Sequence, residues 1–486
     1  MILRLLAISN QTLLYYYLLC NFSYLLMLII AFRTSIAHHR NLQSFKLAWI
    51  KEAPLAPPIS IIVPAHNEEK SICISIQSLL TLQYPELELI VVNDGSTDGT
   101  LSALSERFRL RPIRAVYVSQ IQSAPVRRIY RSEADPRLMV LDKESAGSKS
   151  DAINAGVNAA KCPYICVVDA DSVLEDDALL RIMVPVLADP GRVVCVGGIV
   201  RVVNGSAIRN GRIERIRLPR KSIEIIQVIE YLRAFLVARE AWASANMLMI
   251  VSGAFGVFKT DLVRKVGGYR SDAIGEDFEL VVRLHRYLLD NREKYRIAFL
   301  PDPVCWTEAP SDLKSLGRQR SRWQKGLLDG LWRHRQMLFR TRYERTGCLA
   351  LPYLWFFELF APLIESLGIV SIMAAASLGI LNRDFFIQFL LFGYAFATAI
   401  SIGSVLQEEL TYRRYTDWRD VARLVMYCFL EHFPYRQIQI YWRLQGMWQY
   451  LRGDRTWKTI KRTGLESFHT PPPAEDNATV PSVAKN

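Results

Sequence analysis

Apolar residues fall into two kinds of pattern along this chain, long runs near the ends and short alternating runs between them. Thr12 to Phe32 is apolar over the roughly 20 residues a bilayer core requires, so it predicts a membrane helix. A cleaved signal peptide is the alternative, disfavoured because no small-residue cleavage site follows clearly. From Ile59 the pattern changes. Ile59 to Val63, closed by Pro64, predicts a buried strand, and Leu89 to Val92 a second. Between them Asn67, Glu68 and Glu69 open a helix with Ile72, Ile76, Leu79 and Leu80 on one face, stopped at Tyr84-Pro85. Strand, helix, strand is a βαβ unit with parallel strands, and such sheets hold ligands beyond the carboxyl ends of their strands. Ala115 to Val118, Leu138 to Leu141 and Tyr164 to Val168 predict further strands, with the arginine-rich stretch Arg127 to Arg131 read as a solvated loop. Val193 to Val203 reads as an extended pair of runs around Gly197-Gly198. Ile223 to Trp242 has helical spacing and reads as a helix lying on the cytoplasmic membrane face. Further on, Leu349 to Leu381 predicts an interfacial segment plus a span, Phe385 to Val405 a span, and Val421 to Tyr450 a re-entrant hairpin that returns Trp457 toward the site.

Composition narrows this picture. The 486 residues suffice for two or three units of domain size, and the formal charge is +13. Such an excess suits nucleic acid, anionic lipid, phosphorylated substrates or positive-inside loops. The basic clusters Arg33 to Lys46 and Arg413 to Arg419 flank apolar runs, so the positive-inside reading is preferred, with no nucleic-acid partner. It puts the middle of the chain in the cytoplasm and Asn10 outside. The expected division is 1–50 (N-terminal helix and basic linker with Pro54, Pro57 and Pro58 just beyond it), 51–345 (cytoplasmic domain), 346–465 (transmembrane and interfacial helices) and 466–486 (disordered tail). Eight scattered Cys, with no Cys-x-x-Cys pair, suggest neither a zinc site nor a disulfide framework.

The candidate chemistry sits at predicted strand ends and helix starts. Ala65 to Glu68 follows the first strand, and Asn93-Asp94-Gly95-Ser96-Thr97-Asp98-Gly99 the second; Asp-Gly alone is ordinary turn chemistry. Gly147-Ser148-Lys149 opens a helix, where amides and an ammonium cradle phosphate, although the spaced upstream Gly of a Walker A sequence is missing. Asp169-Ala170-Asp171 offers hard oxygen ligands at a strand end. Ser252-Gly253-Ala254 is a small-residue turn, and Gly275-Glu276-Asp277 opens a helix, where acids are common. Gln319-Arg320-Ser321-Arg322-Trp323 combines guanidinium forks with a flat apolar ring.

Taken together these motifs resemble the family 2 inverting glycosyltransferases, and Gln319 to Trp323 matches the Gln-x-x-Arg-Trp signature of their processive members, the hyaluronan, chitin, cellulose and poly-N-acetylglucosamine synthases. The resemblance implies an α/β fold: a GT-A-like (Rossmann-type) cytoplasmic domain with a mostly parallel sheet, plus α-helical transmembrane segments at both ends. It implies that Asp94 bonds the uracil, that Ala65, Asn67 and Glu68 line base and ribose, and that Lys149, Asn154 and Asp169 meet the sugar diphosphate. It implies Mg²⁺ or Mn²⁺ at Asp169 and Asp171, Asp277 as general base beside Glu276, and Gly253, Gln319, Arg320, Arg322 and Trp323 on the acceptor side. The expected function is inverting, processive transfer from UDP-glucose or UDP-N-acetylglucosamine to a growing β-linked polysaccharide at the inner or plasma membrane, with export of the polymer. An accessory export subunit is a partner left open. Unlike the cellulose synthases, the sequence shows no long regulatory domain after its last spans, so cyclic-dinucleotide control through one is not expected. Two rivals are weighed. Gln319 to Trp323 argues against a non-processive transferase acting on a lipid phosphate. Intact Asp94, Asp169, Asp171 and Asp277 argue against a non-enzymatic membrane receptor or scaffold.

Overall fold

The computed structural model describes residues 2–44, 56–454 and 464–468. Lys46, Pro54, Trp457 and the tail from residue 469 onward lie outside them. The first helix, α1 (Ile2–Ser44), contains the apolar stretch Asn10–His38, long and apolar enough to cross a membrane. The chain then enters a ten-stranded sheet. Its strands are β1 (Ile59–Ala65), β2 (Leu87–Asp94), β3 (Leu110–Ile113), β4 (Val126–Ser132), β5 (Leu138–Lys143), β6 (Tyr164–Val168), β7 (Ser172–Leu174) and β8 (Val193–Val202). A separate hairpin, β9 (Ala207–Arg209) with β10 (Arg212–Arg215), comes before β11 (Phe255–Lys259) and β12 (Arg296–Thr307). The order across the large sheet is β3-β4-β5-β2-β1-β6-β11-β8-β12-β7.

The β5-β2-β1-β6 block is parallel throughout, as the βαβ reading requires. Outside it, β8 and β12 are parallel, while β3-β4, β4-β5, β6-β11, β8-β11 and β7-β12 pair antiparallel, so the sheet is mixed rather than mostly parallel. β1 is buried along its whole length because helices cover both faces of the block. Helix α2 (Ile72–Leu80) buries Ile72, Ile76 and Leu79. Helix α3 (Lys149–Ala159) lies so close that a Cβ on Gly156 would come within 2.4 Å of Ile62.

Three local expectations are corrected. Ala115 to Val118 is not a strand, and Val116 and Val118 are exposed; the strand is β4, built from the stretch read as a loop. β4 lies one strand from the sheet edge, so Arg127, Arg128 and Arg131 reach solvent while Ser132 is buried. Charged side chains are tolerated there as they are not in a central strand. Val193 to Val202 is one continuous buried strand. Ile223 to Trp242 does not lie on the lipid face. It forms α4 (Ser222–Tyr231), a π-helical segment Leu232–Arg239 and a last turn Glu240–Ser244, wedged between sheet and membrane helices. Glu240 accepts hydrogen bonds from Ser35 on α1 at 2.6 Å and from Gln407 at 3.4 Å.

Helix α5 (Glu276–Asp290) and helix α6 (Leu313–Arg333) complete the central region. Beyond them Thr346–Leu359 and α7 (Ala361–Ser377) form a pair bent by 42° that passes as a span only if taken together. Helix α8 (Arg383–Thr411) contains the second apolar stretch, Phe386–Thr411. Helices α9 (Trp418–Leu430) and α10 (Tyr435–Leu451) follow, but they do not pack on each other as the expected re-entrant hairpin would: α9 lies against α8 and α4, and α10 against α6 and α7. A Cβ on Gly317 of α6 would come within 2.5 Å of Trp442. Residues 464–468 dock back on the domain, the Gly464 amide on Glu308 (3.0 Å) and the Leu465 amide on Ser71 (3.2 Å), and Leu465–Phe468 forms a short helical turn.

Candidate active site

A cavity of about 1160 Å³ begins at the carboxyl ends of β1, β2 and β6 and runs on between the membrane helices. Ala65, Glu68, Asp94, Lys149, Asp169, Asp171, Gly253, Glu276, Asp277, Gln319, Arg320, Arg322 and Trp323 all line it. Two expected site residues do not. Asn67 has φ +57° and its amide oxygen accepts from the Thr97 amide at 2.8 Å, so it shapes the loop after β2. Asn154 is buried and clamps the Tyr269 backbone, accepting from its amide at 2.7 Å and donating to its carbonyl at 2.8 Å.

At one end, Asp94 terminates β2. Gly95 follows in the left-handed region (φ +58°), and a Cβ there would meet Ser145 at 2.9 Å, so glycine is required for the chain to turn away and leave the carboxylate in place. Lys143, fully buried on β5 directly opposite Asp94, binds Asp94 Oδ1 at 2.5 Å and Asp151 Oδ2 at 2.6 Å. One oxygen of Asp94 is thereby fixed. Among the described residues the other has a 3.4 Å contact from Ser145 Oγ alone and retains capacity for a ligand N–H. His66 Nδ1 donates to the Asp94 carbonyl at 2.7 Å and its ring lines the same end. Sequence reasoning missed Lys143 and reached His66 only as part of the segment Ala65 to Glu68.

In the middle, Lys149 at the first turn of α3 bonds Asp169 at the end of β6 and comes within 4.0 Å of Glu276. Burial pulls the Lys149 ammonium down, but Asp169, Glu276 and Asp277 outweigh it, so its pKa is raised. Glu276 is also raised, first by burial and then by the Asp277 charge, against the pull of Lys149. Asp277 accepts from the Phe278 amide at 2.8 Å and from the Gly253 amide at 3.4 Å. The loop that carries both acids is seated on α6. Gly275 abuts Gly326, and the Ile274 amide donates to Asp329 at 3.3 Å. Asp329 is itself held by Arg333 (2.9 Å) and Tyr450 (3.1 Å).

Helix α6 supplies Gln319 to Trp323. Arg320 bonds Glu230 through Nη2 at 2.5 Å and lies over the Trp323 ring at 4.3 Å, while its buried Nε has no partner among the described residues. Arg322 lines the cavity close enough to lower the Glu276 pKa. Trp323 is 45% exposed and offers a ring face. Toward the membrane the walls become paired charges and aromatics: Arg233 with Glu431, Arg436 with Glu365 at 3.0 Å, and Tyr16 stacked on Phe357.

The acids suit a divalent cation. Among the described residues no cluster of three or more His, Cys, Asp or Glu side chains is arranged to hold a metal. Asp169 and Asp171 are two carboxylates two residues apart, with a lysine ammonium already drawn onto Asp169. One or two carboxylates completed by phosphate oxygens and water is the donor set with which Mg²⁺ is usually held.

Two family models match the chain. Glycosyl transferase family 2 matches residues 60–248, and Glycosyl transferase family group 2 matches residues 164–402. Among curated relatives, a poly-β-1,6-N-acetyl-D-glucosamine synthase of Staphylococcus epidermidis is 27% identical over 278 residues, covering 56% of each chain. One from Staphylococcus aureus is 26% identical over 268 residues, covering 55% of this chain and 54% of its own. The chain thus spans about half the length of the curated relatives it matches. A mannosyltransferase from Pyrobaculum calidifontis, solved with GDP-Man and Mn²⁺, is 20% identical with a TM-score of 0.48, covering 83% of this chain and 98% of its own.

Proposed function

The chain is a family 2 glycosyltransferase, matched across residues 60–402, and on that premise we propose that it transfers a sugar from a UDP-sugar to a growing β-linked polysaccharide, processively and with inversion, and passes the polymer into the membrane. The observation that carries the reading is the continuity of one cavity from Asp94, past Asp169, Asp277 and Trp323, to the paired charges between the membrane helices. A product made beside Asp277 has a walled path away from the donor.

Each residue then has a task. The carboxylate of Asp94, pinned by Lys143, accepts the imide N–H of uracil. Lys149 and Arg322 offer positive charge to the diphosphate. Asp169 and Asp171 would hold Mg²⁺ or Mn²⁺, which neutralises charge on the departing diphosphate. Asp277 takes the proton of the acceptor hydroxyl as that oxygen bonds to the anomeric carbon, while the bond to the diphosphate breaks on the opposite face and its electron pair leaves with UDP. An α-linked donor therefore gives a β-linked product. Asp277 is suited to the task by position, since a base must first reach the hydroxyl. Trp323 stacks on the acceptor ring. The names of the curated relatives favour UDP-N-acetylglucosamine over UDP-glucose. The two apolar stretches and the bent helix pair fit a multi-pass protein of the inner or plasma membrane with its sheet in the cytoplasm.

The test is incubation of membranes carrying the protein with a panel of radiolabelled UDP-sugars in Mg²⁺ or Mn²⁺, followed by sizing and linkage-specific digestion. Polymer labelled from one donor, cleaved by a β-specific hydrolase and absent with Asp277→Asn, is expected. No incorporation from any UDP-sugar overturns the reading.

A further inference from the structure

We propose that Arg239 is a glycan-binding residue, whose guanidinium edge holds an uncharged oxygen of the acceptor sugar on the membrane side of Asp277. The proposal rests on the transferase reading and extends it to a residue in none of the motifs above.

Arg239 ends the π-helical segment Leu232–Arg239, and such winding is frequent at functional sites. Its side chain lines the cavity. The Phe235 ring covers one face of the guanidinium, with Cζ 3.7 Å from the ring centre. The donors of a guanidinium lie in its plane, so a covered face leaves the edge to act. Nη1 is buried, yet it bonds to no group among the described residues. Four other arginines lining the cavity each pair with an acid or a carbonyl, Arg233 with Glu431, Arg320 with Glu230, Arg436 with Glu365 and Arg443 with the Glu358 carbonyl, although Arg320 Nε, like Arg239 Nη1, is buried with no partner among the described residues. A buried donor of a charged group left without a partner is costly. Burial pulls the Arg239 pKa down to about 10 against the opposing charge of Asp277, so the side chain remains cationic at neutral pH.

Position and charge select the ligand. The segment bearing Arg239 packs on the membrane helices: Val237 shares a cluster with Met27 and Ala31 of α1, and the Leu236 carbonyl accepts from Gln407 at 3.4 Å. The diphosphate positions, Lys149 and Asp169, belong instead to α3 and β6. Arg239 therefore approaches from the side by which a polymer would leave. Asp277 lines the cavity near enough for its charge to act on Arg239, and its carboxylate disfavours a second anion there. A sugar hydroxyl or amide carbonyl carries no such penalty, and either accepts from a guanidinium edge.

The experiment uses the full chain in lipid nanodiscs, with UDP as probe of the donor end and trimers of β-linked N-acetylglucosamine and of β-linked glucose as probes of the acceptor end. Affinities are read by calorimetry and by tryptophan fluorescence. Arg239→Met keeps the apolar stem and should weaken binding of the preferred trimer by ~10-fold to 100-fold, the scale of one charge-assisted hydrogen bond, with UDP affinity within twofold of wild type. Arg239→Lys should fall between. Retained UDP binding shows that the variants fold. A loss of UDP affinity equal to that of the trimer would make Arg239 a phosphate ligand and overturn the proposal, as would unchanged trimer binding. A wild-type protein that binds UDP but neither trimer overturns the Arg239 assignment and leaves the donor half of the site standing. One that binds no UDP overturns the transferase reading itself.

Discussion

A single methyl group on α6 should misplace the catalytic base. The helix approaches the Gly275-Glu276-Asp277 loop through Gly326, and a Cβ added there would lie 3.1 Å from Gly275 Cα and 3.2 Å from its nitrogen. Ordinary carbon contacts lie at 3.4–4 Å, so the loop must retreat by ~0.3–0.9 Å. The atoms in the way are backbone, so no side chain can swing aside. Asp277 begins two residues later and its remaining tethers are amide bonds from Phe278 and Gly253, which a shift of that size would stretch. A misplacement of about 1 Å costs catalysis up to ~10²-fold, so Gly326→Ala should lower turnover by ~10-fold, or ~1.4 kcal/mol of barrier. Stability should change less clearly. Alanine gains ~1 kcal/mol of helix propensity over glycine, while overpacking costs ~1–3 kcal/mol. Donor binding, set by Asp94 and Lys149 on other elements, should be unchanged. The assay is turnover of the preferred UDP-sugar beside UDP affinity and thermal unfolding in the same nanodiscs. Wild-type turnover in Gly326→Ala would refute the claim that this contact sets the base. A proportional loss of UDP affinity would show general damage instead.

Four further outcomes are expected. Asp169→Ala and Asp171→Ala should abolish transfer and weaken UDP-sugar binding, EDTA should mimic the loss, and full activity in chelator would remove the metal. Trp323→Ala should shorten the polymer while leaving UDP affinity intact, as product sizing will show; unchanged length leaves no role for the ring in processivity. His285 is buried, donates through Nε2 to the Leu248 carbonyl at 2.8 Å, and has its pKa pulled down to about 4 by burial, so the unfolded chain takes up its proton first; stability should be full above pH 6.5 and fall by ~3 kcal/mol toward pH 4, a fall that unfolding of His285→Gln should lack. A cysteine at the exposed position Arg131 should resist an impermeant label in intact cells and react after lysis, and labelling in intact cells would reverse the orientation.

What the sequence revealed depends on how local each signal is. The strand ends at Ala65, Asp94 and Asp169 were legible because each rests on a short apolar run and the turn chemistry that closes it, and the parallel block aligns them at one edge. Lys143 was not legible. It acts through cross-strand register, since β5 pairs with β2 so that Lys143 lies opposite Asp94, and nothing around Leu138 to Lys143 announces its neighbour. Arg320 was read for its motif, but its partner Glu230 is 90 residues away, and that ion pair decides where its charge goes. Asn154 belongs to a phosphate-binding pattern, yet the turn carrying Tyr269 consumes its amide. β4 was hidden by its arginines, which only its place near the sheet edge makes acceptable.

The same long-range contacts explain why the domain and the membrane helices act as one object. Arg201 on β8 is 4% exposed and its partner Glu408 on α8 is fully buried, 2.6 Å away. Removing one member of such a pair strands a buried charge at ~3–5 kcal/mol, whereas the intact pair adds little net stability. The contact therefore penalises separation more than it rewards folding. Arg414 does similar work, reaching back to Glu175 at 2.8 Å, which also accepts from Trp306 at 3.3 Å. Tyr450 on α10 holds Asp329, which holds the loop of the base. A boundary drawn at residue 345 thus divides the chain without dividing the site. The sheet supplies the carboxylates, α6 seats the base, and the helices beyond residue 345 close the far wall of the cavity, so the chemistry proposed here belongs to the two parts jointly.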